Sequence, residues 1–316
     1  MIDLIRMNSN GITSDQVTAL ARHNNLQRVD RNGVITFDNI AMKFADGFYL
    51  RVEVGRVKLE CNLHKYYNHI VTGRQTNYGS FTANNAKATA HLLEKATGLN
   101  MQAVNVNYYE IGLNLNMNND CRDYLDLMET IGEGDNRRPF FVNPRYKDQR
   151  DITTVFHPSI KKVYKAYDKV HEMKDKRRTD LPDHPNILRV ETTYRRQERL
   201  TLSKLLSQPN LNKLINQFVN DWQAVQFTPE IEAPKGTHQH KVTLCRQLLL
   251  NGDAETLELC RMQRKEGSLT EKRYRNIREF VKNDWPEFKK QIRVIQTEPE
   301  KEYLQRIKEA AKVAMC

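Results

Sequence analysis

The stretch "VNVNYYEIGLNLNM", residues 104 to 117, alternates in character residue by residue. Tyr109, Ile111, Leu113, Leu115 and Met117 form an apolar set, and Tyr108, Glu110, Gly112, Asn114 and Asn116 a polar one. Successive side chains of a strand point to opposite faces, so this pattern predicts a long strand with one face buried and one polar. "RVKLECNLHKYY" (56 to 67) repeats it, setting Val57, Leu59, Cys61 and Leu63 against Lys58, Glu60, Asn62 and His64. "ILRVETTYRR" (187 to 196) does so again, with Leu188, Val190 and Thr192 against Arg189, Glu191 and Thr193. Three such strands predict an α+β fold built on an antiparallel sheet with helices on one face.

If the polar faces lie together, His64, Glu60, Glu110, Asn114, Arg189 and Glu191 converge on one uncovered surface. A solvated sheet face accounts for Lys58 and Thr193. It accounts less well for acids and a histidine near strand centres, where β propensity disfavours Asp and Glu. Carboxylates with an imidazole make a mixed oxygen and nitrogen site suited to Mg²⁺ or Mn²⁺. Spacing leaves both readings open, since a lone strand histidine is commonly a hydrogen-bonded surface residue.

The net charge is +11, and its location says more than its size. Residues 137 to 213 hold 19 Lys and Arg against 9 Asp and Glu, while the rest of the chain nearly balances. A polyanion such as nucleic acid fits this concentration, because each neutralised phosphate releases counterions; a solvated charged surface is the alternative. Cys61, Cys121, Cys245, Cys260 and Cys316 are scattered and never in CxxC spacing, which indicates reduced thiols. No run approaches the ~20 apolar residues of a membrane span, and "MIDLIRMNSNG" lacks the marks of a signal peptide, so a cytoplasmic protein with no membrane partner is expected.

Within the basic block lies "VYKAYDKVHEM", residues 163 to 173. As a strand running into a helix, it places Lys165, Tyr167 and Lys169 on one face and Tyr164 and Ala166 on the other; as a helix, it puts Tyr164 and Tyr167 on one face. A phenol of pKa near ~10 is a poor nucleophile, helped by cations or a metal that stabilise the phenolate. Residue chemistry alone makes Tyr167 a packing or phosphate-contacting residue.

"AYDKVHE" (166 to 172) followed by "LRVE" (188 to 191) resembles the replication initiators of filamentous phages and related mobile elements, the gene II-like family. "LHKYYN" (63 to 68) and "YEIGLNL" (109 to 115) are similar to that family's two upstream strands, and the likeness covers roughly residues 55 to 200. The resemblance implies a rolling-circle endonuclease that nicks one DNA strand through a tyrosine. Its A-Y-x-K-x-x-E stretch places the nucleophile at Tyr167, with Lys169 and Glu172 at the other positions. Some initiators use two tyrosines in turn; the motif points to the second alone, which leaves Tyr164 a structural or reserve role. A divalent cation, Mg²⁺ or Mn²⁺, is implied; its candidate ligands, His64, Glu110 and Glu191, are read from the strand faces rather than from a family motif, and Arg189 is a candidate contact to the scissile phosphate. The usual His-hydrophobe-His pair is missing upstream; His238-Gln239-His240 lies downstream with a polar centre and is read as surface.

From about residue 200 the chain reads as helices, with "FTPEIEAPKGT" as an internal linker. Two domains are expected: residues 1–200, a catalytic antiparallel-sheet nuclease core, and 201–316, a mainly helical DNA-binding or accessory domain. The last basic helix, opening at Ser268 and Glu271 in capping-box spacing, carries Lys272, Arg273 and Arg275 toward duplex DNA. Lys165 and Arg195 are further candidate DNA contacts. The implied partners are origin duplex and single-stranded DNA, with a host helicase and polymerase. The rival readings are a non-catalytic DNA-binding regulator and a single-strand nucleic-acid-binding module.

Overall fold

The computed structural model describes the chain apart from residues 103, 133–136, 143–150, 155–160, 198 and 316 and the side chains of residues 31, 44, 151 and 154. Part of the basic block, 143–150 and 155–160, and the thiol of Cys316 thus lie outside the described residues.

The fold is α+β around one large antiparallel sheet. Its strands are β1 Ile2–Asn10, β2 Gln27–Arg31, β3 Val34–Asp38, β4 Phe48–Glu53, β5 Arg56–Asn62, β6 Asn105–Asn116, β7 Met128–Ile131, β8 Arg138–Val142, β9 Asp151–Thr154, β10 Lys162–Asp168, β11 Ile187–Arg195 and β12 Val225–Phe227. They run in the order β12-β7-β8-β9-β10-β11-β6-β1-β5-β4-β3-β2, and a separate hairpin pairs β13 Glu230–Glu232 with β14 Arg293–Ile295. The alternating stretch is β6, near the middle of the sheet, registered from Ile187↔Asn116 to Arg195↔Tyr108 against β11 and paired with β1 on its other edge.

The helices are α1 Ser14–His23, α2 Lys43–Asp46, α3 Leu63–Thr72, α4 Ala83–Thr97, α5 Cys121–Leu125, α6 Lys169–Asp175, α7 Leu202–Leu205, α8 Gln208–Gln223, α9 Gln239–Asn251, α10 Asp253–Lys265, α11 Glu271–Glu279, α12 Trp285–Gln291 and α13 Glu298–Met315. α8 turns one apolar stripe, Leu211, Leu214, Ile215, Phe218 and Trp222, inward. Trp222 Nε1 donates to Thr192 Oγ1 on β11 at 2.9 Å, and the Tyr303 hydroxyl of α13 donates to the Trp222 carbonyl at 2.9 Å. These bonds satisfy the polar atoms that the apolar face carries inward.

One hydrophobic cluster joins Ile5, Leu59, Tyr109, Ile111, Ala166 and Val190 of the sheet to α8 and to Tyr303, Ile307, Ala311 and Ala314 of α13. A second, smaller cluster gathers Ile231, Leu244, Cys245, Leu248, Val281 and Trp285. Residue 200, the expected boundary, falls within the first cluster: Leu200 packs against it, and Leu202 and Leu205 belong to it.

Several local expectations are corrected. β5 ends at Asn62, whose side chain accepts the Lys65 N–H and caps α3, so His64 is a helical residue and not the next outward residue of a strand. The N-cap of α11 is Thr270, while Ser268 donates back to the Gln263 carbonyl. The expected linker contains β13.

Candidate functional site

The polar sides of β10, β11, β6 and β1 meet on one face, as the alternation requires. Register sets Tyr167 beside Arg189 and Arg189 beside Asn114; one step along, Lys165, Glu191 and Gly112 form the next row, and Thr193 faces Glu110. The strand-into-helix reading of "VYKAYDKVHEM" holds, so its two tyrosines point to opposite sides of the sheet. Tyr164 faces the helical layer, its hydroxyl donating to Asp221 Oδ2 at 3.1 Å and its ring edge-on to Trp222. Burial and the Asp221 charge push its pKa up.

Tyr167 is half-buried, and its hydroxyl donates to Glu191 Oε1 at 2.9 Å. Burial first, and then the Glu191 charge, push the phenol well above its ordinary value. Burial by itself would raise Glu191, but the Lys165 ammonium at 2.8 Å and the Arg189 guanidinium at 2.5 Å hold it well below the usual carboxylate range. Glu110 is displaced the other way, upward, by burial and the neighbouring Glu191 charge, partly offset by Lys165 at 3.5 Å. Glu110 also accepts hydrogen bonds from Tyr108 and, at 3.2 Å, from Thr193.

Lys169, the first residue of α6, is buried, with Nζ 5.9 Å from the centre of the Tyr167 ring and donating to Glu172 Oε2 at 2.8 Å. Burial and the Arg189 charge lower its pKa to about 8, against the pull of Glu172. The family-type trio of Tyr167, Lys169 and Glu172 is thus contiguous in space.

Arg189 has a different place from the one expected. It is 2 % exposed, and four of its five N–H donors are met inside the protein. Nε donates to Glu191, Nη1 to Asn114 Oδ1 at 2.8 Å and to the Asn77 carbonyl at 3.2 Å, and Nη2 to Asp3 Oδ2 at 2.6 Å. This buried arginine anchors the site. Gly112 makes room for it: a Cβ there would lie 2.7 Å from Arg189 Nη2 and 3.2 Å from Glu191 Cγ.

The expected ligands do not form one cluster. Among the described residues, no group of three or more His, Cys, Asp and Glu is placed to hold a metal ion. Glu110 and Glu191 share the Lys165 ammonium, a cation already seated between them. His64 lies apart, buried and stacked on Phe81 at 4.7 Å, under the influence of the Asp3 charge. Burial lowers its pKa to about 3, so the imidazole is neutral. His64 Nε2 and Asp3 Oδ1 are buried with no hydrogen-bond partner, and a neutral imidazole with a carboxylate oxygen suits a divalent cation. Glu60, expected beside His64, pairs with Arg6 at 2.9 Å and Lys43 at 3.1 Å.

Asp3 and Asn77 escaped the sequence reading, which places Tyr108 on the polar face without a role at the site. Asp3 sits among apolar residues of β1, and a register shift between Ile2 and Ile5 disrupts the simple alternation there. Asn77 comes from an irregular segment with no periodicity to read. Lys272, Arg273 and Arg275 are exposed on α11, and the His238 and His240 rings stack at 5.6 Å on the surface. No family model matches the chain, and no curated protein matches it. No helix among the described residues is long and apolar enough to cross a membrane.

Proposed function

We propose that the protein is a rolling-circle replication initiator that nicks one DNA strand at an origin through Tyr167 and later rejoins it. The observation that carries this reading is the Tyr167 hydroxyl bonded to Glu191 on an otherwise polar sheet face, with Lys165 and Lys169 as neighbouring cations. In the reaction, Tyr167 Oη attacks a backbone phosphorus and its proton passes to Glu191 Oε1. The bond from phosphorus to the 3′ oxygen breaks, that oxygen takes a proton from solvent, and a 5′-phosphotyrosine and a 3′ hydroxyl result. The covalent link conserves the phosphodiester, so the reverse attack reseals the strand. Lys169 stabilises charge gathering at the phenolate and phosphorane. Lys165 keeps Glu191 ionised and able to accept the proton, and Arg189 holds Glu191 and Asp3 in position.

A divalent cation, Mg²⁺ or Mn²⁺, when bound, polarises the phosphoryl oxygens. His64 Nε2 and Asp3 Oδ1, which have no hydrogen-bond partner, fit as its protein ligands, Asp3 through the oxygen that Arg189 does not take, whereas Glu110 and Glu191 share the Lys165 ammonium. The sheet face and the nearby α3 and α6 make up the nuclease core in this reading, the exposed basic helix α11 approaches origin duplex, and the host cytoplasm supplies helicase and polymerase.

One observation favours the non-catalytic DNA-binding reading. The phenol is held protonated while its acceptor is a weak base, as in a static hydrogen-bonded network. Incubating the protein and Mn²⁺ with a labelled single-stranded origin oligonucleotide separates the two. The nicking reading expects a denaturation-resistant adduct that Tyr167→Phe and EDTA abolish and Tyr164→Phe retains. No adduct from wild type decides for the regulator, whereas an undiminished one from Tyr167→Phe overturns Tyr167 as the nucleophile.

A further inference from the structure

On the same polar face, about 20 Å from Tyr167 along β11 at the usual strand rise, lies a groove. Arg195 lies six residues beyond Arg189, the register partner of Tyr167. Arg195 pairs across to Tyr108, Tyr108 to Arg6, and Arg6 to Glu60, a row spanning four strands. Lys58 and Arg56 follow on β5, opposite Asn8 and Asn10. Arg6, Arg56, Lys58, Tyr108, Arg195 and Arg196 are among the residues that line a cavity of about 540 Å³, whose wall includes five cations and, among the described residues, no carboxylate. Arg56, Lys58 and Arg196 are exposed. Arg6 pairs with Glu60 and also lies 4.4 Å over the Tyr108 ring, presenting a cation and an aromatic side by side.

We propose that this groove binds the single-stranded DNA that flanks the scissile phosphate, Arg56, Lys58, Arg195 and Arg196 meeting its phosphates and Tyr108 offering a ring edge to a base. The inference rests on the strand-nicking reading. Tyr167 is half-buried beside α6, so a phosphate reaches its hydroxyl only on an extruded strand, and the groove cations lie farther along the same sheet face. Closely spaced cations beside an aromatic suit a flexible backbone with unstacked bases. The acidic stretch between, Glu110 and Glu191, is bridged by the Lys165 ammonium, and the cations at the groove are the next attractive point.

The test uses the full chain carrying Tyr167→Phe, so that binding is read without chemistry, and follows the anisotropy of a labelled mixed-sequence single-stranded oligonucleotide across a salt series. Lys58→Glu with Arg196→Glu is expected to weaken binding about tenfold or more and to make the salt slope shallower by roughly one to two. Lys58→Arg with Arg196→Lys should bind as the parent, and Lys235→Glu with Lys265→Glu, exposed lysines outside the groove, should change single-strand affinity by less than about twofold. The groove assignment is overturned if the first variant binds like the parent or if the Lys235 and Lys265 variant loses as much. An adduct on wild type with unchanged binding in the groove variant removes the groove alone. Lost binding in that variant without any wild-type adduct removes the nuclease reading and leaves the groove.

Discussion

A guanidinium taken out of water is stable only where its donors are met, and Arg189 meets its own with Glu191, Asp3, Asn114 and Asn77. The sequence shows an arginine on a polar strand face; it does not show that the face is closed above it. Hence the arginine expected at a phosphate is found in an internal network, on the polar face that the alternation assigned. His64 teaches the same at the next position: alternation continued into "LHKYY", but one capping asparagine turned the chain into a helix and the ring inward. Its pKa of about 3, against an ordinary value of 6.5, has a measurable result. Between those two values the unfolded chain binds a proton that the folded one does not, so this residue's contribution to stability falls as pH drops from 6.5 toward 3. His64→Phe, which keeps a ring against Phe81, should flatten the acid limb of thermal stability in that window. A limb parallel to wild type would contradict the buried neutral imidazole.

At the level of elements, the three half-polar strands were legible because a period of two survives wherever one face is buried. β6 and β11 run where their alternation put them, and β10 enters α6 inside the motif that holds Tyr167. What was not legible is contact between side chains of neighbouring strands, which depends on register. Gly112 shows why: it reads as one more polar-face residue, yet it is the only residue type that lets Arg189 cross β6. Because Arg189 is pinned by several hydrogen bonds, it cannot yield to an added methyl. Gly112→Ala should therefore cost about 1–3 kcal/mol, read as a shift of the denaturation midpoint at unchanged slope. Unaltered stability would mean that the arginine can move aside.

Over the whole molecule, the change from strands to helices near residue 200 was visible in the sequence, but the grouping of those helices was not. α8 and α13, far apart in the chain, return to the sheet, while residues between them build the smaller cluster. The ends of that insertion are neighbours, since Glu232 pairs with Arg293. Replacing residues 233–292 with a short Gly/Ser turn should leave a soluble protein with a cooperative melt, reported by Trp222, the one tryptophan remaining of two. Loss of a cooperative transition would show that the sheet core depends on the excised helices. The central claim concerns a single atom, Tyr167 Oη. It is tested most directly by trapping the protein on a single-stranded origin oligonucleotide with Mn²⁺, digesting the adduct, and locating the modified residue by mass spectrometry. A nucleotide phosphate on Tyr167 is the predicted result; a modification on Tyr164 or another residue, or no covalent adduct, would contradict it.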